Sequence, residues 1–266
     1  MGKKRRKSTS CFNCATPLVN GENYCPNCGQ ENHNKQASIG ILVNDFLGDF
    51  LSFDSKLFRS LKPLLFQPGT MTRDYLDGKR QKFIPPIRLF LFLSFIYFGL
   101  SLLLFDEAAA RVTIDGESIN NAAVDNFSEA MRRNMNILFF FFTPIQALII
   151  LIFFRSKERK FYVNFFVFTL HTFSLLLILG ILIDLLNWAL TSSGDTLTTL
   201  DYIILSIDLA LILYFLAYSV LALKRVFQKK YNLLLFIAAL LFSIIAFLLL
   251  SIGFVLFFGW SYNIFS

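Results

Sequence analysis

Residues Leu233 to Phe258 read LLLFIAALLFSIIAFLLLSIGFVLFF, and no ionisable side chain interrupts them. A helix of about 20 apolar residues spans the ~30 Å hydrocarbon core of a bilayer, so this stretch reads as a membrane-crossing helix. Working outward, four further apolar runs precede it, at 87–105, 137–154, 162–188 and 202–223. Asp184 and Asn187 near the end of the third run shorten its lipid-buried part. Composition points the same way. Of 266 residues, 55% are hydrophobic and only 16% charged, whereas soluble domains carry about a quarter charged residues. The expected fold class is an all-α polytopic membrane protein with five transmembrane helices over residues 87–258.

Lysine and arginine orient the chain. Fourteen lie in the region ending at Arg88, four in the 155–161 loop and four in the 224–230 loop, out of 25 in all. The 106–136 loop has Arg111, Arg132 and Arg133 against six acidic residues, and the segment after Phe258 has none. Positive charge stays on the cytoplasmic side, so the N-terminus is expected inside and the C-terminus outside. Residues Met1 to Lys7 carry the charge of a leader, but a polar, cysteine-containing segment follows instead of an apolar one. No cleavable signal peptide is therefore expected. The tail at 1–10 reads as a solvated basic extension, with anionic lipid or nucleic acid as less favoured partners.

Residues 11–30 hold all four cysteines as Cys11-Phe12-Asn13-Cys14 and Cys25-Pro26-Asn27-Cys28. Two such pairs, each on a tight turn, complete an all-sulfur tetrahedral zinc shell. Gly29 supplies the positive φ at which the second turn closes. Disulfides or a redox pair fit less well, because the charge pattern keeps this segment in a reducing compartment. Four thiolates leave no open coordination position, so Zn2+ is expected to be structural, in a small cytoplasmic ribbon.

Residues 38–84 read as amphipathic juxtamembrane helices and a basic loop. Ser38 is a candidate cap for a face carrying Ile39, Leu42, Val43, Phe46 and Leu47. Asp54 could open a second piece with Leu57, Phe58, Leu61, Leu64 and Leu65, which Pro63 kinks or shortens. Pro68-Gly69 reads as a turn, Thr70 as an N-cap and Gly78 as the residue just past a helix end. Beyond the first span, Asp115-Gly116 reads as a turn, and Ile119 to Met135 as a helix running into the second span, which Pro144 kinks.

The succession of these motifs resembles the bacterial domain of unknown function 3667 family. The resemblance rests on Cys11, Cys14, Tyr24, Cys25, Pro26, Cys28, Gly29 and Gln30, then on Pro68, Gly69, Arg73, Tyr75, Gly78, Arg80, Phe83 and Pro85. It covers roughly residues 11–95. It implies a multi-span protein of the bacterial inner membrane with an N-terminal zinc ribbon, and it brings no activity with it.

Ionisable residues inside a membrane are costly and become functional candidates by default. Here they are His171, Asp184 and Asp208, with the two aspartates expected at similar depth on neighbouring helices. A solvated or hydrogen-bonded structural role is the plainer reading of each. Arg73, Lys79, Arg80, Lys82 and Arg88 form a basic juxtamembrane cluster whose plainest role is contact with anionic headgroups. The sequence lacks a nucleophile elbow, phosphate loop, dinucleotide fingerprint or zincin motif. The reading that follows is a non-enzymatic membrane protein of unestablished activity, using its ribbon to dock a cytoplasmic protein partner. The alternative is a small transporter or channel in which Asp184, Asp208 and His171 line a polar path. A lipid-modifying enzyme comes third, and homo-oligomerisation stays open.

Overall fold

A computed structural model of the chain describes residues 8–19, 22–32, 39–40, 42–43, 55–105, 122–155, 161–190, 199–227 and 233–265. The expected basic tail, most of the amphipathic face after Ser38 and the Asp115-Gly116 turn lie outside these residues. The described secondary structure is helical: α1 (Ser55–Phe66), α2 (Thr70–Leu76), α3 (Pro86–Phe105), α4 (Ala122–Phe154), α5 (Tyr162–Leu190), α6 (Thr199–Phe227) and α7 (Leu233–Phe265). The ribbon contributes only isolated antiparallel bridges, Ser10 with Pro17 and Tyr24 with Glu31. Three helical stretches are long and apolar enough to cross a membrane: Tyr162–Ala189, Tyr202–Phe227 and Leu234–Gly253. Pro86–Leu100 and Leu138–Phe154 are apolar but shorter among the described residues.

Helix α5 is the hub. It packs against α3, α4 and α6, and also against α1 and α2. Its burial follows from its side chains, which are apolar all round rather than on one stripe, the pattern of a helix enclosed by others. Phe165, Val167 and Leu175 are wholly buried, as is Thr169, whose hydroxyl donates to the Phe165 carbonyl one turn back. Aromatic contacts lock the helices together: Phe165 stacks on Phe227 of α6 at 4.5 Å, and Phe139 of α4 meets Phe173 edge-on at 5.7 Å. Pro144 sits within α4, where Thr143 donates to the Phe139 carbonyl and Tyr162 of α5 donates to the carbonyl of Pro144 itself.

The short helix α2 is the unexpected part. Met71, Thr72, Asp74, Tyr75 and Leu76 are all buried, so α2 is wedged against α5 and α6 and does not lie on a surface. Its N-cap is Gly69, not Thr70. Thr70 is itself the first helical residue, and its hydroxyl accepts a hydrogen bond from Arg225 of α6, whose guanidinium also donates to the Pro68 carbonyl. Gly69 is required twice over. Its φ is +71°, and a Cβ there would stand 2.8 Å from the Ala222 carbonyl oxygen and 2.9 Å from Val226. At the other end Gly78, with φ +93°, turns the chain out of the helix as the sequence suggests.

Gly69→Ala should therefore lower stability by about 2 kcal/mol or more, since it combines left-handed strain with a backbone clash. Thermal unfolding of the purified variant in detergent checks this; an unchanged midpoint would contradict the packing of α2 on α6.

Candidate metal centre and its seat on the helices

Each cysteine pair closes the same kind of turn. Ala15 N–H donates to the Cys11 carbonyl and Cys11 N–H to that of Thr16; in the second knuckle Gly29 donates to Cys25 and Cys25 to Gln30. The residue after each pair has a left-handed backbone, φ +59° at Ala15 and +71° at Gly29. Only the second has the glycine that makes this conformation easy, so the sequence shows one knuckle more clearly than the other.

The two turns bring the four sulfurs within 4.8 Å of one another. Cys11 Sγ lies 3.6 Å from Cys28 Sγ and Cys14 Sγ lies 3.5 Å from Cys25 Sγ, far beyond a bonded sulfur pair. A cation held tetrahedrally at about 2.3 Å by four thiolates spaces them about 3.8 Å apart, so the residues fit a metal ion. The hydroxyl of Thr16, 3.1 Å from Cys14 Sγ, and the Thr16 backbone bring that thiol down to about 6, whereas burial pushes Cys28 up to about 12. A bound cation would hold all four as thiolates.

The residue after Gly29 ties this centre to the helices. Gln30 is buried, and its side-chain amide pairs with the backbone beyond α2: Nε2 donates to the Gly78 carbonyl at 2.8 Å and Oε1 accepts from Arg80 N–H at 3.1 Å. Its own carbonyl accepts from Cys25 N–H, so one residue joins a cysteine knuckle to the loop after α2. Asn32 secures the other flank, receiving Ser8 N–H at its Oδ1 and donating to the Ser8 and Glu22 carbonyls.

The basic cluster divides on inspection. Lys79 and Lys82 reach Asp74 of α2, at 3.1 and 2.6 Å. Arg80 is buried with its guanidinium 5.5 Å from the Tyr75 ring centre, while Arg73 and Arg88 are half-buried. Asp74 was not singled out from the sequence, where it reads as one more solvated charge; its place on the buried side of α2 becomes clear only once α2 packs inward. His171 shares a 2.9 Å hydrogen bond with Thr72 of α2. Asp184 lies thirteen residues further along α5, about 20 Å along the axis, so the histidine and the aspartates do not form one cluster. Asp184 and Asp208 are close enough for their charges to interact, and Asn187 Nδ2 approaches Asp208 Oδ2 at 3.5 Å.

Burial alone would raise the Asp74 pKa, but hydrogen bonds and charge from Lys82 and Lys79 outweigh it and hold it below the ordinary carboxylate value. The stabilisation is thus present above about pH 4 and is lost as pH falls through the depressed folded-state pKa. Asp74→Asn should cost about 2 kcal/mol at neutral pH, the low side for a buried ion pair because both lysines are partly exposed. It should also flatten the acid limb of stability against pH; a variant with the wild-type acid limb would contradict this role.

Searches of curated proteins and of solved structures return no match. Residues 54–98 match a family of proteins of unknown function, DUF3667. That segment runs through α1, α2, the Asp74 ion pairs and the loop on which Gln30 sits. Over these residues the chain is similar to the DUF3667 family.

Proposed function

We propose that this chain is a five-span protein of the bacterial cytoplasmic membrane, N-terminus inside and C-terminus outside, whose structural zinc ribbon docks a cytoplasmic protein. The observation that carries this reading is the Gln30 clamp, which holds the ribbon on the membrane domain and gives it a fixed outer face. On the ribbon Tyr24 is 64% and Val19 73% exposed, apolar groups of the kind that protein partners cover. Zinc suits the four-thiolate set because it is tetrahedral and redox-inert, and a segment this short cannot bury enough apolar area to fold alone. Metal binding therefore supplies its folding energy, and the docking face exists only when the ion is bound. With no open coordination position, the ion serves architecture and not catalysis. Arg73 and Arg88, both half-buried, meet anionic headgroups at the inner leaflet in this reading.

The test is a crosslinked pull-down from native membranes, comparing wild type with the Cys25→Ser/Cys28→Ser double variant at matched expression. Loss of a defined cytoplasmic partner together with loss of bound zinc is expected. An identical set of partners from both baits would contradict docking.

A further inference from the structure

Helices α4, α5, α6 and α7 enclose a cavity of about 330 Å³. It exists because α6 and α7, although consecutive, share no extensive interface among the described residues. Ile244 and Leu248 on α7 form one lip and are about half exposed, so the cavity opens sideways, towards lipid in a membrane. Its walls are apolar, with four exceptions: Gln146, Thr172, Ser219 and Ser243, one from each helix.

These four lie at a common depth. The short links at 155–161 and 228–232, together with the Phe165–Phe227 stack, place the end of α4, the start of α5, the end of α6 and the start of α7 on one side of the bundle. Gln146 and Ser219 stand eight residues in from that side and Thr172 and Ser243 ten, which is roughly 12–15 Å, near the middle of a ~30 Å core. The three hydroxyls donate to carbonyls of their own helices, those of Phe168 or Thr169, Phe215 and Ala239. Their lone pairs remain as acceptors. Gln146 Oε1 is buried without a hydrogen-bond partner in the described protein. An amide held among hydrocarbon at this depth costs free energy unless something completes its hydrogen bonding.

We propose that this cavity binds a neutral, ring-bearing lipid of the isoprenoid-quinone type, its ring at mid-membrane beside Gln146 and its tail leaving between α6 and α7. A phospholipid does not meet the same need, because its charged headgroup stays at the surface while the polar side chains lie at mid-depth. Water can reach the four polar groups, but it leaves the aromatic and aliphatic wall that makes up most of the cavity without a partner. A flat ring suits the wall. Phe142 stacks on Phe173 at 6.0 Å and meets Phe247 edge-on at 5.0 Å, a preformed aromatic corner against which another ring packs offset or edge-on. Ring carbonyls accept from the Gln146 amide nitrogen, and a ring hydroxyl donates to Oε1, so the amide serves either form of such a ring. This site is independent of the ribbon and of its proposed partner.

The probe is a decyl-substituted benzoquinol, kept reduced, added to the full-length protein in nanodiscs, with bound mass read by native mass spectrometry. Wild type should carry one probe molecule. Gln146→Leu, which keeps the shape and removes the polar group, should raise the Kd read from a probe titration about tenfold, the loss of one buried hydrogen bond. Ala239→Phe and Ser243→Leu fill the cavity and should abolish the adduct while thermal unfolding shows each variant folded. The proposal is overturned if the adduct survives both filling variants, if Gln146→Leu binds as wild type does, or if phospholipid alone is found bound.

Discussion

Backbone polar groups buried among apolar helices must find partners, and the chain between α1 and α3 is where this constraint bears hardest. Here the backbone leaves its helix twice beside a hydrocarbon-rich bundle. Its exposed groups are met by side chains from elsewhere: Tyr214 for the Leu65 carbonyl, Arg225 for that of Pro68, and Gln30 for the Gly78 carbonyl and the Arg80 amide. Ser60 of α1 accepts from the Ile84 amide. Irregular backbone is tolerated at such a position only where protein encloses and satisfies it. The segment therefore depends on both the ribbon and the bundle, and it is the part of the chain that matches a known family.

From this follows a chain of mechanical contact. The second cysteine knuckle holds Gln30, Gln30 holds the loop after α2, and α2 is anchored to the hub helix by Thr72 and His171 and to α6 through Gly69 and Arg225. Each link is a short polar contact or a close steric fit, and neither tolerates a displacement of an ångström. Contiguous contacts thus join the ribbon to α5. Asp74 strengthens the same link, since its two lysines flank the loop that Gln30 holds.

Much of the architecture was legible in the sequence, because apolar run length and cysteine spacing are strong one-dimensional signals. The all-helical character, the long apolar helices and the gathering of Cys11, Cys14, Cys25 and Cys28 needed no tertiary information. What escaped depended on contacts across long separations. Thr70 has the side chain of an N-cap, yet Arg225, far along the chain, engages it. The role of Gln30 could not be seen because its partners are backbone atoms, which have no signature in sequence. The sequence points to a hydrogen-bonded His171 without its partner, and only the packing of α2 brings Thr72 to it. The polar belt around the cavity was hidden for the same reason: Gln146, Thr172, Ser219 and Ser243 are ordinary residues singly and share a depth only in the folded bundle.

The coupling of the metal centre to the membrane domain is tested most directly by amide hydrogen exchange at Arg80, in nanodisc-embedded protein with and without a zinc chelator. With the ion bound, Gln30 Oε1 shares the Arg80 amide with the Gly78 carbonyl and exchange should be slow. After chelation it should exchange about tenfold faster or more, while Arg73, whose amide bonds within α2 to the Gly69 carbonyl, keeps its protection. Equal protection of Arg80 in both states would mean that the loop is held without the ribbon, and the coupling would fail.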